Sequence, residues 1–353
     1  MATSSRSTHA SERKLKQKIF CWFDSIDIVK KLYRAMIPEN IRAIIQRNMT
    51  SNLRAIKTLS LLIIEYMKNS DSIYYEKVFN FLQKNKYGVF SDKFIEIFFD
   101  EKLNAYNFNN VLIPKISKNV DIIVLFLDCL LNHTLFNENY SKDIVLKVGS
   151  FINKEPYAYI DGDFKVTVEK NDVVIDAGAN IGDFSAYAAY KLGGGGGACY
   201  AFEPVSENYE MLCKTCEINT NKFIPVKYGL GDKVCEIPIT MNRTFSTIHF
   251  DKRVSGFKPD KKLKKEIIKI TTIDKFVEEN NIAHVDFIKA DIEGAERDML
   301  LGASNVLRTF APKLAISTYH LPDDPQVLKN IILQANPKYN IMQLRTRLFA
   351  YVS

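Results

Sequence analysis

The chain has 353 residues, 46% of them hydrophobic and 25% charged, with a formal net charge of +7. That length suits two globular domains, and the composition is that of an ordinary folded protein rather than a disordered or fibrous one. The modest positive charge slightly favours an anionic partner, but no stripe of aromatics interleaved with Lys and Arg marks a single-stranded nucleic-acid groove, so no nucleic-acid partner is expected. Six scattered cysteines in a chain of this size read as reduced thiols, not as a disulfide framework.

Residues 1–12 read as a disordered tail, and 13–150 as a helical N-terminal domain. Met1 to Lys18 is polar and basic, with no secretory signal. Leu59, Leu62, Ile63, Tyr66 and Met67 fall on one face of a helix. Asp92 to Phe99 and Val120 to Leu131 continue the helical pattern. The apolar runs Leu59–Met67 and Ile122–Leu131 are short and carry Glu65 and Asp128, so neither spans a bilayer. These features place the protein in the cytoplasm, with peripheral membrane contact left open. The helical region can pack on the rest of the chain or pair two subunits as a homodimer.

From residue 151 to 353 the pattern changes. Tyr157 to Val168 reads as a hairpin around Asp161-Gly162. Strands and helices then alternate, as in a mostly parallel sheet: a strand to Asp176, a helix from Asp183, a strand Ala198–Phe202, a helix from Glu207 and a strand Phe223–Tyr228. Lys233–Thr240 and Glu266–Ile270 look like additional strands. Helix Ile273–Glu279, strand Val285–Ala290, helix Ala295–Leu301, strand Lys313–Thr318 and a helix from Pro325, with Asp324 as its N-cap, follow. Two short strands, Asn340–Leu344 and Leu348–Val352, close the chain as an antiparallel hairpin. Gly193 to Gly197 follows a helix and precedes a strand, which puts it at the end of the sheet away from the ligand crevice. The segment from Met241 to Lys265, with its lysines near the end, reads as a solvated loop or an acceptor-side lid.

The most informative run is Asp172-Val173-Val174-Ile175-Asp176-Ala177-Gly178-Ala179-Asn180-Ile181-Gly182-Asp183. It is a buried strand that enters a glycine-bent turn and opens a helix, the junction at which a nucleotide-like cofactor docks on an α/β sheet. Gly178 and Gly182 leave room for close approach of a ligand. A third glycine is missing from the dinucleotide fingerprint. Asp183 also fills the anion-attracting helix start with a carboxylate, which disfavours a pyrophosphate. A ligand with a ribose, an adenine and a cationic end, such as S-adenosyl-L-methionine, fits better. Glu203, at the tip of the next strand in Phe202-Glu203-Pro204, can accept both ribose hydroxyls.

These motifs, together with Phe287-Ile288-Lys289-Ala290-Asp291-Ile292-Glu293-Gly294-Ala295-Glu296, resemble the FkbM family of S-adenosylmethionine-dependent methyltransferases over about residues 155–352. The resemblance implies a Rossmann-like class I methyltransferase sheet with an antiparallel C-terminal hairpin, preceded here by the helical N-terminal region. It also implies methyl transfer to a hydroxyl of a sugar, glycan or nucleotide-linked sugar. The rival readings are an N- or carboxyl-methyltransferase of a small molecule, and a non-catalytic interaction protein built on the same sheet.

The cofactor-binding residues expected are Asp176, Gly178, Asn180, Gly182, Glu203, Asp232 and Asp291. Asp232 lies in the loop after the third strand, where it can meet the adenine amine or form a plain turn. The expected catalytic residues are Asp291, Glu293 and His320, which sit at strand tips; histidine is the side chain whose ordinary pKa suits a base near neutral pH. Glu296 reads as an acid stabilising the first turn of a helix. Lys289 either pairs with one of the acids or reaches outward. No metal is expected, because no cluster has metal-ligand spacing, although Asp291, Glu293 and His320 could converge on an ion in three dimensions.

Overall fold

A computed structural model describes residues 157–353, apart from 221, 243–244 and 248–264, and most of 60–115, with 62, 65–66, 69–71, 86–91 and 109 left aside. The tail at 1–12, the helix over 120–131 and most of the 241–265 segment lie outside the described residues. The chain divides into two compact units, residues 1–98 with 150–152 and residues 99–149 with 153–353. Among the described residues no helix is long and apolar enough to cross a membrane.

In the first unit Ser60, Leu61, Ile63, Ile64, Met67 and Lys68 are helical, with Ile63 and Met67 fully buried. Leu59, Leu62 and Tyr66 of the expected face lie outside the described residues. Helix α1 (Tyr75–Lys84) buries Val78 and Leu82, four apart on one face, and α2 (Asp92–Ile95) runs into a 3-10 turn ending at Phe98.

The second unit opens with a three-stranded antiparallel sheet, β1 (Phe99–Asp100), β2 (Ala105–Phe108) and β3 (Val111–Pro114). The helical expectation for 13–150 therefore does not extend over 99–114. Asn104 and Asn110 take φ values of 48° and 74°, a left-handed geometry that asparagine tolerates and that turns the chain instead of continuing a helix. Leu112 in β3 exchanges two hydrogen bonds with the Asn219 side chain, donating to Oδ1 at 3.1 Å and accepting from Nδ2 at 2.7 Å.

Next comes the expected hairpin, β4 (Tyr159–Asp161) and β5 (Phe164–Val166). Its two-residue turn is Gly162-Asp163, one step beyond Asp161-Gly162. Gly162 supplies the positive φ of 58° at the first turn position.

The main sheet has seven strands in the order β15-β16-β14-β13-β6-β7-β8. Here β6 is Val173–Ala177, β7 Ala198–Phe202, β8 Ile224–Val226, β13 Phe287–Ala290, β14 Lys313–Ser317, β15 Asn340–Gln343 and β16 Arg347–Tyr351. Strands β8, β7, β6, β13 and β14 are parallel, and β16 runs antiparallel to both β14 and β15. This is the α/β arrangement expected, with the hairpin at the C-terminal edge. All five residues of β6 and all four of β13 are buried, as continuous strands covered on both faces must be. Ile175, Ile288, Leu314 and Ile316 lie in one core with Leu328 and Ile332, and each such side chain contributes about 1.5–3 kcal/mol by leaving water.

Helix α3 (Asp183–Leu192) follows β6, and α4 (Ser206–Ile218) follows β7. The two expected additional strands are present as β10 (Cys235–Asn242) and β12 (Lys265–Thr271); with β9 (Gly229–Leu230) and β11 (Phe245–Thr247), which fall where a loop was expected, they form a second sheet in the order β11-β10-β12-β9. Helices α5 (Ile273–Glu279), α6 (Glu296–Leu301), α7 (Ser304–Thr309) and α8 (Asp324–Ala335) complete the unit. Asp324 is not the N-cap of α8. It lies in the first turn, where its carboxylate accepts from Leu321 N at 2.8 Å and Arg297 Nε at 2.7 Å.

Candidate active site at the strand tips

The predicted residues gather where β6, β7, β13 and β14 end. They form two groups, one around the turn after β6 and one around the turn after β13.

At the first, Gly178 and Gly182 have φ values of 75° and 91°. A Cβ on Gly178 would lie 2.1 Å from the Asp291 backbone oxygen, and one on Gly182 would lie 2.7 Å from Leu212 Cδ1. Both sites therefore require glycine, for conformation and for space. Gly178 N and Ala179 N both donate to Phe202 O, at 3.0 and 2.9 Å, and tie the turn to the tip of β7. Asn180, itself at φ 51°, donates its amide to Glu203 Oε2 at 3.0 Å. Val205 N donates to the other carboxylate oxygen at 2.9 Å. Glu203 is 5% exposed. Burial pushes its carboxyl up to about 7, against the amides of Val205 and Asn180, which favour the anion. Asn208 Nδ2 adds a longer bond to Oε1 at 3.4 Å; a carboxylate accepts at about four lone-pair positions, so capacity remains for the ribose.

Asp176 does not face the crevice. It is fully buried, Oδ2 accepts from the Ser185 hydroxyl at 2.5 Å, and Oδ1 lies 2.8 Å from Lys289 Nζ. Lys289 is the paired residue of the two readings given for it: its side chain is 5% exposed. Asp232 is exposed on the loop after β9 and makes none of the contacts that join the other residues.

At the second turn Glu293 and Gly294 have φ values of 55° and 98°. Glu296 is 1% exposed and does more than favour a helix start. Its oxygens accept from Ile292 N at 2.9 Å and Gly294 N at 3.0 Å, so it closes the turn from within. Asp291 Oδ2 accepts from the Tyr157 hydroxyl at 2.5 Å, and Oδ1 accepts from the Tyr319 hydroxyl at 2.9 Å. The Arg347 guanidinium lies 3.7 Å from Oδ2 and 4.3 Å from the centre of the Tyr157 ring. Burial alone would raise the Asp291 pKa. The charges of Arg347, Lys289 and His320 and the Tyr157 hydroxyl outweigh it and hold the carboxyl well below the usual carboxylate range.

His320 follows β14 with its side chain 8% exposed. Its Nδ1 is 2.9 Å from Glu296 Oε1, and its Nε2 is 3.4 Å from Glu293 Oε2 and 3.5 Å from Asp291 Oδ1. None of these contacts is aligned as a hydrogen bond, so we treat them as ion pairs. Burial disfavours the imidazolium, but Glu293, Glu296 and Asp291 prevail and raise its pKa to about 10. In this arrangement His320 is a cation at neutral pH, not the free base that its ordinary pKa suggests. Asp291, Glu296 and His320 each offer a metal-ligand atom within 4.8 Å of the others.

The sequence did not point to Tyr157 or Arg347, which approach Asp291 from outside the motifs. Lys289 carried a legible signal, a charge in an otherwise apolar strand, which must find a partner when buried.

The Methyltransferase FkbM domain family matches residues 176–340. Hexuronic acid methyltransferase AglP of Haloferax volcanii is 26% identical over 181 residues, covering 50% of this chain and 67% of the relative. Methyltransferase 1 of Beauveria bassiana is 27% identical over 168 residues, covering 43% of this chain and 66% of the relative. The crystal structure of methyltransferase FkbM from Methylobacillus flagellatus KT is similar with a TM-score of 0.42 and 22% identity, over 65% of this chain and 60% of that one. The chain thus spans about two thirds of the length of its curated relatives. Residues 176–340 of this chain are a methyltransferase domain of the FkbM family.

Proposed function

We propose that this domain uses S-adenosylmethionine to methylate a hydroxyl of a sugar, glycan or nucleotide-linked sugar. The observation that carries the cofactor reading is the Glu203 carboxylate at the tip of β7, set by the Asn180 amide beside a turn in which Gly178 has no room for a side chain. Those residues suit a ribose, and Asp183 in the first turn of α3 opposes a pyrophosphate. When bound, S-adenosylmethionine supplies a methyl group on a positively charged sulfur, already electrophilic enough for in-line displacement.

The remaining task falls to the protein, and it is mainly positioning. Glu203 accepts the ribose hydroxyls. Gly178, Asn180 and Gly182 shape the turn that the cofactor lies against. Asp291, kept ionised by its cations and phenols, orients the cofactor's amino end or the acceptor hydroxyl. Glu293 has the most exposed side chain of the three acids in its turn, at 30% against 20% for Asp291 and 1% for Glu296. It is the acid an incoming hydroxyl reaches first, and it takes the proton as the new C–O bond forms. His320 holds its own proton and steadies the developing charge among Asp291, Glu293 and Glu296. Similarity to a relative named for hexuronic acid methylation supports a sugar acceptor.

The test is incubation of the full chain with S-adenosylmethionine and a panel of uronic acids, neutral sugars and nucleotide-linked sugars, read by product mass. The expected result is one acceptor class gaining a single methyl group on oxygen. Methylation only at nitrogen or at a carboxylate would overturn the hydroxyl reading. Cofactor binding with no transfer to any sugar would overturn the sugar reading.

A further inference from the structure

Lys289 is a buried charge that the proposed chemistry uses only as one of the cations around Asp291. In the pairing of β13 with β6, Lys289 stands directly beside Asp176, so the two side chains leave the sheet on the same face. The Lys289 stem runs toward the strand tips. Its Nζ lies 2.8 Å from Asp176 Oδ1 and donates to Gly178 O at 2.8 Å and Ala177 O at 3.3 Å. The rings of Tyr157 and Phe184 lie 5.2 and 5.8 Å from it. Two backbone carbonyls take its hydrogen bonds and the Asp176 carboxylate balances its charge as an ion pair, so Lys289 is engaged within the fold and is not a hook for substrate.

Its place matters because of what it holds. The peptide between Gly178 and Ala179 is pinned at both ends, its carbonyl by Lys289 and its N–H by Phe202 O. The next amide, of Asn180, is the one that sets Glu203. A chain of contacts therefore runs from Ser185 through Asp176 and Lys289 to the Gly178 carbonyl, and on through the turn to the Glu203 carboxylate. Lysine suits the position by reach: a shorter cation on β13 would not cross to the turn after β6, and an apolar residue of similar length would leave the Gly178 carbonyl without this donor and Asp176 without a countercharge.

We propose that Lys289 is a positioning residue for the cofactor, a strut that fixes the Gly178 carbonyl and so sets the Asn180 amide and the Glu203 carboxylate for the ribose. The inference rests on the cofactor reading given above. It predicts that Lys289 and Glu203 act on binding through one another, although Lys289 touches no ligand.

The experiment is a double-variant cycle on S-adenosylmethionine affinity, measured by calorimetry on the full chain, with hydrogen exchange over residues 178–182. Lys289→Met alone strands the Asp176 carboxylate, so Asp176→Asn with Lys289→Met serves as the charge-neutral background if the single variant does not fold. The folded variant should bind about tenfold more weakly or worse, the scale of a lost hydrogen bond to a charged group. Amide exchange should quicken at Ala179 and Asn180 while the amides of β13 and β14 keep their protection. Adding Glu203→Ala should then cost less than it does in the natural protein, because its support is already gone. A folded variant with unchanged affinity, or costs that simply multiply, would overturn the strut. If the natural protein bound no S-adenosylmethionine, the cofactor reading would fall, and unchanged exchange at 178–182 would independently remove the strut.

Discussion

The two turns at the strand tips are built differently. The turn after β6 is a backbone device. Its carbonyls and amides are tied to Phe202, Glu203 and Lys289, and the buried acid beside it, Glu203, is set mainly by main-chain donors. The turn after β13 is a side-chain device, in which Asp291, Glu293 and Glu296 face His320, with Tyr157, Tyr319 and Arg347 closing on Asp291. The first holds a shape, as a binding site needs. The second holds a charge balance, as a site needs when a proton leaves one group and charge moves. On the proposed function, binding falls to the first turn and chemistry to the second, and substitutions should divide along the same line.

The largest effect is expected on the charged side. Asp291→Asn keeps the size of the side chain but removes the charge that Arg347, Lys289 and His320 surround. Turnover should fall about 100-fold, the scale of a misplaced reacting group, while cofactor affinity moves less; steady-state kinetics beside calorimetry separate the two. Gly178→Ala attacks the shape instead. A Cβ 2.1 Å from Asp291 O at a φ of 75° has nowhere to go, and urea unfolding should show a loss of about 2–3 kcal/mol. Glu203→Ala should weaken S-adenosylmethionine about tenfold with little change in folding; an unchanged affinity would remove its ribose role.

The pH dependence distinguishes the same two regions. Glu203 is raised from 4.5 to about 7, so the folded state keeps a proton that the unfolded chain gives up. Its contribution to stability therefore declines as pH rises from about 4.5 to 7 and is flat beyond. Cofactor affinity should climb as pH rises through about 7, where the folded carboxylate ionises, and Glu203→Gln should flatten both curves. His320 is raised from 6.5 to about 10. Its ion pairs stabilise the fold fully below 6.5, and that contribution is lost as pH rises through about 10, a decline that His320→Gln should remove. The smallest effect is expected at Asp232, exposed and apart from both turns, where alanine should change cofactor affinity by less than about twofold.

Much of the first region was legible in the sequence, because it is local. An apolar strand, two glycines four apart and an acid at the next strand tip are neighbours in the chain as well as in space, and Gly178, Asn180, Gly182 and Glu203 meet where their spacing puts them. Asp176 belonged to the same motif but turned inward, because the partner that claims it, Lys289, lies more than a hundred residues away. The second region was legible only in part. The run from Asp291 to Glu296 announced a turn rich in acids, but Tyr157 reaches Asp291 across 134 positions and Arg347 arrives on the terminal strand. No periodicity encodes such contacts, and the raised pKa of His320 depends on them. The strands over 99–114 were missed for a related reason: short segments with asparagine turns carry less pattern than the apolar helices beside them.

In the proposed function the turn after β6 and Glu203 together receive S-adenosylmethionine. Calorimetric titration of the full chain, natural and Glu203→Ala, against S-adenosylmethionine and against NAD tests it most directly. The expected result is saturable binding of S-adenosylmethionine, weakened about tenfold in the variant, and none of NAD. A well-folded natural protein that bound NAD, or bound neither, would contradict it.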